Sequence, residues 1–249
     1  MKLLYRLYQI LIAAPLLIVL TLLTCITTTI GCTIGRAHFW SYWPGMVWSR
    51  AFCRILLLPV HVKGHEYIDK NASYVFVANH QGAFDIFLIY GFLGRNFKWM
   101  MKQSLRKMPF IGKTCESAGH IFVDKRGPKA IQHTYENARK VLKGGTSVVV
   151  FPEGARSFTG HMGIFRKGAF QLAEELQLPV VPITIDGSFQ VLPRTRGFGF
   201  VTWHPLSMTI HQPIDTHGKE LGEVMDDAYQ TIMEAQPEEL QGFVENLDQ

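Results

Sequence analysis

The sequence has little charge, no paired cysteine motif and none of the common nucleotide-binding loops. Charged residues make up 18 % of the 249 residues, and none occurs between Arg6 and Arg36. The four cysteines form no CxxC pair, so a zinc site or a redox motif lacks support and a reducing compartment is the simpler expectation. No GxSxG, GxxxxGK[ST] or GxGxxG pattern is present. A serine hydrolase, a P-loop enzyme and a Rossmann dehydrogenase therefore lose their usual sequence support.

The long uncharged run near the N-terminus is typical of a membrane helix. It exceeds the roughly 20 apolar residues that span a hydrocarbon core, and no small-x-small site ends it as in a signal peptide. Basic residues flank it on both sides, so a true span and a hairpin in one leaflet both stay open. Residues 38–60 carry three tryptophans and two arginines, which fits an interfacial helix, a core helix or both. We predict that residues 1–59 form a membrane-anchoring helical segment.

From about residue 60, short apolar runs alternate with helical stretches. Runs such as "SYVFVAN", "FKWMMK" and "SVVVFPEG" have the length and composition of strands. The stretch "PKAIQHTYENARKVLKGG" begins with proline and ends with glycines, as helices often do. Alternating strands and helices favour an α/β fold with a mostly parallel sheet covered by helices on both faces. We predict that this α/β domain comprises residues 60–249.

The stretch "NHQGAFD" places a histidine and an aspartate where a predicted strand gives way to a helix. In a continuous helix, a separation of five residues would put the two side chains about 140° apart. If the chain turns instead, Asp85 can accept a hydrogen bond from His80 and fix the tautomer of the imidazole. The other ring nitrogen would then be free to act as a general base. In open α/β sheets, ligands bind at the edge formed by the carboxyl ends of the strands, and "NHQGAFD" follows the end of a predicted strand.

Two further predicted strands end in basic residues. Lys102 ends "FKWMMK" and can reach a phosphate, although a solvated lysine is the more frequent role of such a residue. Lys125 and Arg126 are adjacent after "GHIFVD". Neighbouring cations either attract an anion or form a basic pair on the surface. The sequence leaves both interpretations open.

The fourth stretch, "VVVFPEGARS", follows an entirely apolar strand. Gly154 allows the backbone to approach a ligand closely. Arg156 can hold a phosphate with two hydrogen bonds, and Glu153 can accept one from a hydroxyl. The alternative is that Glu153 and Arg156 merely pair with each other.

Taken in order, these stretches resemble the motifs of the glycerolipid acyltransferase family, and most closely those of the 1-acyl-glycerol-3-phosphate acyltransferases. That family carries NHx4D, Gly-x-Ile-x-Ile-Asp-Arg, Phe-Pro-Glu-Gly-Thr-Arg-Ser and Val-Pro-Val/Ile stretches. The corresponding stretches here are "NHQGAFD" (79–85), "GHIFVDK" (119–125), "FPEGARS" (151–157) and "VPI" (181–183). Ala155 replaces the usual threonine. Lys125 replaces the usual arginine, so either Lys125 or Arg126 can be the phosphate ligand.

The resemblance implies acyl transfer to the sn-2 hydroxyl of 1-acyl-glycerol-3-phosphate (lysophosphatidic acid), which gives phosphatidic acid in phospholipid biosynthesis. It makes His80 the base and Asp85 its orienting partner. The residues expected to bind the acceptor are Glu153, Gly154, Arg156 and Ser157, with Lys125 or Arg126 on the phosphate and Lys102 as a weaker candidate. The expected donor is acyl-CoA or acyl carrier protein, with no cofactor and no metal.

The resemblance also implies a location and a set of partners. We expect the protein at a membrane, the bacterial inner membrane or its equivalent, with the catalytic domain on the cytoplasmic side. Membrane lipid is an expected partner and nucleic acid is not. Three alternatives stay open: another acceptor such as glycerol-3-phosphate, another lysophospholipid or a lyso-amino-acid lipid; a lipid hydrolase; and a lipid-binding or scaffold protein without catalytic activity.

Overall fold

The apolar runs predicted as strands pair into one seven-stranded sheet. The computed structural model describes residues 2–124, 127–142, 145–195, 197 and 199–242, so the predicted Lys125–Arg126 pair lies outside the described residues. The strand order is β1-β7-β6-β2-β5-β3-β4. The strands are β1 Val60–Lys63, β2 Val75–Ala78, β3 Phe97–Lys102, β4 Ile121–Val123, β5 Ser147–Val150, β6 Val180–Asp186 and β7 Leu206–Ile210.

Five of the seven strands run in the same direction. Strand β2 pairs parallel with β5 and β6, and β3 pairs parallel with β5 and β4. Strand β7 is antiparallel to β6, and β1 is parallel to β7. The predicted α/β class with a mostly parallel sheet is therefore confirmed. The carboxyl ends of β2, β5, β3 and β4 consequently lie along one edge of the sheet.

Helices cover both faces of this sheet. They are α1 Lys2–Tyr8, α2 Ala14–Thr33, α3 Ala37–Trp40, α4 Trp43–Ile55, α5 Asp85–Phe92, α6 Ile111–Ser117, α7 Pro128–Val141, α8 Gly168–Leu176, α9 Ser188–Val191 and α10 Leu221–Glu234. The side chains of β2 alternate between two cores. Phe76 and Ala78 face the core that includes α4 and α5, whereas Val75 and Val77 face the core that includes α7, α8 and α10. Burial on both faces explains why this strand is a continuous apolar run.

The N-terminal helix lies along the α/β domain. A π-helical turn, Gln9–Ala13, joins α1 to α2, so that the helix is continuous over Lys2–Thr33. Near one end, the Gln9 side chain donates to the Val201 carbonyl at 2.8 Å and accepts from its N–H at 3.0 Å. Near the other end, the hydroxyls of Thr29 and Thr114 are 3.3 Å apart. Twenty helical residues separate these contacts, which corresponds to about 30 Å.

Most of this helix is exposed, although it is apolar. It is the one helix, among the described residues, that is long and apolar enough to cross a membrane. The following helix α4 has two sides, because Met46 and Cys53 are buried while Trp43 and Val47 are exposed. Both interpretations of residues 38–60, a core helix and an interfacial one, therefore fit its position. The last of the N-terminal helices, α4, ends at Ile55, and β1 begins at Val60. The predicted domain boundary at residue 59 stays a prediction.

Asn79 connects β2 to β6 at the start of the candidate site. Its fully buried side-chain amide donates to the Ile185 carbonyl at 2.8 Å, and its oxygen accepts from the Ile185 N–H at 2.8 Å.

Replacing Asn79 with alanine would leave both backbone groups without these partners. We expect Asn79→Ala to lower the free energy of unfolding by about 2–4 kcal/mol, as measured by denaturant titration in detergent. Asn71→Ala, at an exposed asparagine, is the control. An equal effect of the two changes would contradict this role of Asn79.

Candidate active site

A turn after β2 brings His80 onto Asp85. The His80 Nδ1 atom lies 2.7 Å from Asp85 Oδ2. The same carboxylate oxygen accepts hydrogen bonds from the backbone N–H groups of Gln81 at 2.8 Å and Gly82 at 3.0 Å. Asp85 is fully buried at the start of α5. The buried carboxylate therefore shapes the turn and orients the imidazole through the same oxygen atom.

The His80 ring is held from a second direction by Phe151. The two rings are stacked, with centroids 3.9 Å apart and planes within 8° of parallel. When Asp85 is ionised, Nδ1–H donates to it, and in the neutral imidazole the lone pair is then on Nε2. No described residue makes a hydrogen bond to Nε2. The side chain is 14 % exposed, so this nitrogen has the orientation and the availability that a general base requires.

Glu153 joins the His80 turn to the segment that follows β5. Its Oε1 atom accepts from the His80 N–H at 2.6 Å, and Oε2 accepts from the Gly163 N–H at 2.8 Å. Burial raises the pKa of the Glu153 carboxyl to about 8, although these two N–H donors act to lower it. Both oxygens are engaged with the backbone. The predicted contact of Glu153 with the acceptor stays a prediction, and its position gives it a scaffolding role.

Gly154 and Ser157 shape the same segment. Gly154 has φ +81°, in the left-handed region that favours glycine. The Ser157 N–H donates to the His80 carbonyl at 2.8 Å. Its hydroxyl accepts from the N–H groups of Thr159 and Gly160, each at 3.1 Å. Ser157 is buried, so these contacts fix the loop. Its contact with the substrate stays a prediction.

Arg156 is half-buried, and its guanidinium does not pair with Glu153. Within the described part of the chain, no carboxylate lies within 4.0 Å of this guanidinium. The alternative in which Glu153 and Arg156 neutralise each other therefore has no support. An arginine in this position keeps its charge available for an anionic ligand.

Arg194 supports this loop and was not identified from the sequence. It donates from Nη1 to the Arg156 carbonyl at 3.0 Å, and its guanidinium lies 4.0 Å from the centroid of the Phe158 ring. Directly before it, Pro193 forms an isolated bridge with Gly82, and the Leu192 carbonyl accepts from the Ala83 N–H at 3.1 Å. We name residues 192–194 the bridging segment, because they contact both the His80 turn and the Arg156 loop. The only sequence signal for them is the short basic stretch "PRTRG".

Gly82 allows the bridging segment and α9 to approach the His80 turn. A Cβ atom at Gly82 would lie 2.3 Å from the Ser188 carbonyl oxygen and 2.4 Å from its hydroxyl oxygen. Any larger residue would push the turn away from the start of α9. The glycine in "NHQGAFD" is thus required by packing rather than by an unusual φ.

Of the remaining predicted cations, Lys102 lies at the same edge of the sheet. Lys102 ends β3 and is exposed, and it pairs in register with Val123, the last residue of β4. Lys125 and Arg126 follow β4 but lie outside the described residues. Within the described ranges, no group of three or more His, Cys, Asp or Glu side chains could hold a metal ion. The expectation that the protein uses no metal stays a prediction.

An α/β sheet with a histidine–aspartate pair and a Phe-Pro-Glu-Gly loop at its carboxyl edge is the arrangement expected of a glycerolipid acyltransferase. The family model described as Acyltransferase matches residues 59–186, and the chain belongs to this family. The resemblance seen in the sequence is thereby confirmed.

Several of the relatives that the chain matches share the same name. The chain is 32 % identical over 177 residues to the chloroplastic 1-acyl-sn-glycerol-3-phosphate acyltransferase LPAT1 of Arabidopsis thaliana, covering 71 % of this chain and 49 % of that protein. It is 31 % identical over 209 residues to the 1-acyl-sn-glycerol-3-phosphate acyltransferase of Saccharomyces cerevisiae, covering 80 % and 68 %. The chain thus spans about half the length of the plant relatives that it matches.

A solved structure is similar over almost the whole chain. The crystal structure of the 1-acyl-sn-glycerophosphate acyltransferase PlsC from Thermotoga maritima superposes with a TM-score of 0.75 at 26 % identity. The match covers 92 % of both chains. It therefore extends well beyond the four motifs.

The contacts of Arg194 predict that its removal loosens the Arg156 loop. In Arg194→Ala, we expect the backbone amides of residues 157–160 to exchange hydrogen at least about tenfold faster, because a charged hydrogen bond and a ring contact are lost. Hydrogen–deuterium exchange with mass spectrometry measures this change. Arg139→Ala, which removes an exposed arginine paired with Glu175 on the helical surface, is the control. Unchanged exchange at residues 157–160 in Arg194→Ala would contradict the role of Arg194.

Proposed function

We propose that this protein transfers an acyl group from a thioester donor to the sn-2 hydroxyl of 1-acyl-glycerol-3-phosphate. The observation that carries the proposal is the 2.7 Å contact between His80 Nδ1 and buried Asp85, which leaves Nε2 available at the carboxyl edge of the sheet. The choice of acceptor is supported by the names of the Arabidopsis and yeast relatives and of the Thermotoga structure.

The reaction needs one proton acceptor and no covalent intermediate on the protein. His80 Nε2 removes the proton from the acceptor hydroxyl as its oxygen attacks the thioester carbonyl carbon. The C–O bond forms, and the tetrahedral species then expels the thiolate, which takes the proton back from the imidazolium. The Asp85 carboxylate stabilises the imidazolium while it exists. The thiol is a good leaving group, so positioning and base catalysis supply most of the acceleration.

We assign binding of the acceptor phosphate to the predicted cations. Arg156 is the first candidate, because the bridging segment fixes its backbone and no described carboxylate neutralises it. Lys102 and either Lys125 or Arg126 complete the candidate set. Gly154, with its positive φ, belongs to the same loop and lets the backbone turn back beside the site.

The proposed acceptor is an amphiphile that resides in membranes, and the N-terminal helix suits a protein that acts at a membrane. Its long apolar surface is exposed to the surroundings, which supports association with a membrane. We further propose that the α/β domain lies on the cytoplasmic side, where acyl-CoA and acyl carrier protein are found. Both donors present the same thioester to His80, and the proposed chemistry is the same for each.

A parallel assay of acceptors and donors tests the proposed function. Purified protein in mixed micelles would receive lysophosphatidic acid, glycerol-3-phosphate or lysophosphatidylcholine, with acyl-CoA or acyl carrier protein as donor. We expect phosphatidic acid from lysophosphatidic acid at the highest kcat/KM. Faster acylation of another acceptor would reassign the substrate. Release of free fatty acid without an acceptor would favour a hydrolase.

Replacing either member of the His80–Asp85 pair should lower kcat. His80→Ala should lower kcat by about 10²–10⁴-fold, because it removes the general base. Asp85→Asn should also lower kcat, with little change in the KM for the acceptor. Steady-state kinetics measures both variants, and circular dichroism checks that they fold. His133→Ala, at an exposed histidine of α7, should keep full activity. Transfer that persists in His80→Ala would refute the assignment of the base.

Arg156 predicts a different kinetic change. Arg156→Ala should raise the KM for lysophosphatidic acid by about 10–100-fold through loss of a charged hydrogen bond, with a smaller effect on kcat. Arg156→Lys should restore part of the affinity because it keeps the charge. Arg139→Ala serves as the matched control on the surface. An unchanged KM in Arg156→Ala would show that the phosphate binds elsewhere.

A further inference from the structure

The chain turns sharply at Phe110 and holds this aromatic side chain outside the core. Phe110 has φ 60° and ψ −54°, and the Ile111 N–H donates to the Pro109 carbonyl at 2.6 Å. This three-residue γ-turn with positive φ is a strained conformation for any residue other than glycine. The Phe110 side chain is nevertheless 69 % exposed. The strain therefore serves no burial within the protein itself.

The turn belongs to a segment of mixed apolar and basic character. We name residues 103–113, which follow β3 and run into α6, the Phe110 loop. Its exposed large apolar side chains are Leu105, Met108, Phe110 and Ile111. Its basic residues are Arg106, Lys107 and Lys113, of which Arg106 and Lys113 contact a single acid, Glu116. Apolar tips beside cations are typical of segments that insert between lipid headgroups.

Helix α6 ties this loop to the long apolar helix. The Thr114 hydroxyl lies 3.3 Å from that of Thr29 and 3.4 Å from the Cys25 carbonyl. Cys25 and Thr29 lie within the run that contains no charged residue. If this part of α2 enters a membrane, α6 must lie at a similar depth, because the two helices are in side-chain contact. Ile111 stands one helical turn before Thr114 and is exposed.

We propose that the Phe110 loop is a second membrane contact, which inserts Phe110 and its apolar neighbours into the interface of an anionic bilayer. This inference rests on the membrane association proposed above. Lys107 and the two neighbouring basic residues then meet lipid phosphates, each contributing attraction at short range.

The charge of the loop favours lipid over a second copy of this chain. In a symmetric pair, the same patch would face itself. The three basic residues of the loop, with Glu116 of α6 as the acid that contacts two of them, would then lie opposite an identical excess of positive charge, which opposes pairing. Anionic headgroups, in contrast, complement this charge.

Depth measurement by electron paramagnetic resonance tests the proposal without use of activity. A spin label is placed at Phe110→Cys in the full chain, with Cys25, Cys32, Cys53 and Cys115 replaced by alanine. The protein is bound to vesicles of phosphatidylcholine and phosphatidylglycerol. We expect the label to collide several-fold more often with oxygen, relative to a soluble nickel complex, than a label at Ile131→Cys. Ile131 is an exposed apolar residue of α7, on the other side of the sheet.

A third label distinguishes insertion of the N-terminal helix from insertion of the Phe110 loop. A label at Ile26→Cys, at an exposed position of α2, reports whether the N-terminal helix is in the bilayer. Insertion of Ile26 but not of Phe110 would overturn the present inference and leave membrane association intact. Exclusion of both labels from the bilayer would overturn both. Spin–spin broadening at position 110 would assign the loop to a contact between copies and also refute the proposal.

A variant in the natural cysteine background covers the case in which the cysteine-free chain does not fold. Phe110→Trp adds one fluorophore to the five natural tryptophans. With brominated acyl chains in the vesicles, we expect a larger quenched fraction in this variant than in the natural protein. Ile131→Trp should show no increase in the quenched fraction. Equal quenching in the two variants would refute insertion of the loop.

Discussion

One oxygen atom, Oδ2 of Asp85, is the point on which the candidate site depends. It collects hydrogen bonds from the His80 ring and from two consecutive backbone N–H groups, all within a buried environment. A buried carboxylate is costly unless such donors compensate it. The same three donors close the turn after β2, so the conformation of the backbone and the orientation of the base have a single cause.

Around this turn, parts of the chain that are distant in sequence hold one another in place. Glu153 joins the His80 backbone to Gly163, and Ser157 returns a hydrogen bond to the His80 carbonyl. Arg194 then supports the loop from outside. Burial raises the pKa of the Glu153 carboxyl to about 8, although the N–H groups of His80 and Gly163 act to lower it. The site is a small network held mainly by hydrogen bonds to backbone groups, and among the described residues buried Asp85 Oδ1 and Gln81 Oε1 have no hydrogen-bond partner.

Much of the fold could be predicted from the sequence because its signals are local. Strand β2 is buried on both faces and therefore appears as an uninterrupted apolar run. The position of "NHQGAFD" after this strand, together with the three motifs that follow it in order, suggests the His80–Asp85 pair. The support from Arg194 could not be predicted, since it depends on a loop almost forty residues after Arg156. The scaffolding contacts of Glu153 and Ser157 were equally hidden, because the sequence shows a polar side chain but not which backbone groups surround it.

The attachment of the N-terminal helix at both of its ends has a mechanical consequence. The Gln9 side chain forms two hydrogen bonds with the Val201 backbone near one end, and the hydroxyls of Thr29 and Thr114 are in contact near the other. In a protein joined to its membrane anchor by a flexible linker, the linker accommodates any mismatch between the hydrophobic length of the anchor and the thickness of the bilayer. In the membrane-bound protein proposed above, these two attachments couple the helix to the sheet, so a thicker or thinner bilayer would change the height of the His80 imidazole above the hydrocarbon. Lipid composition would then set how far the proposed acceptor must rise out of the membrane to react.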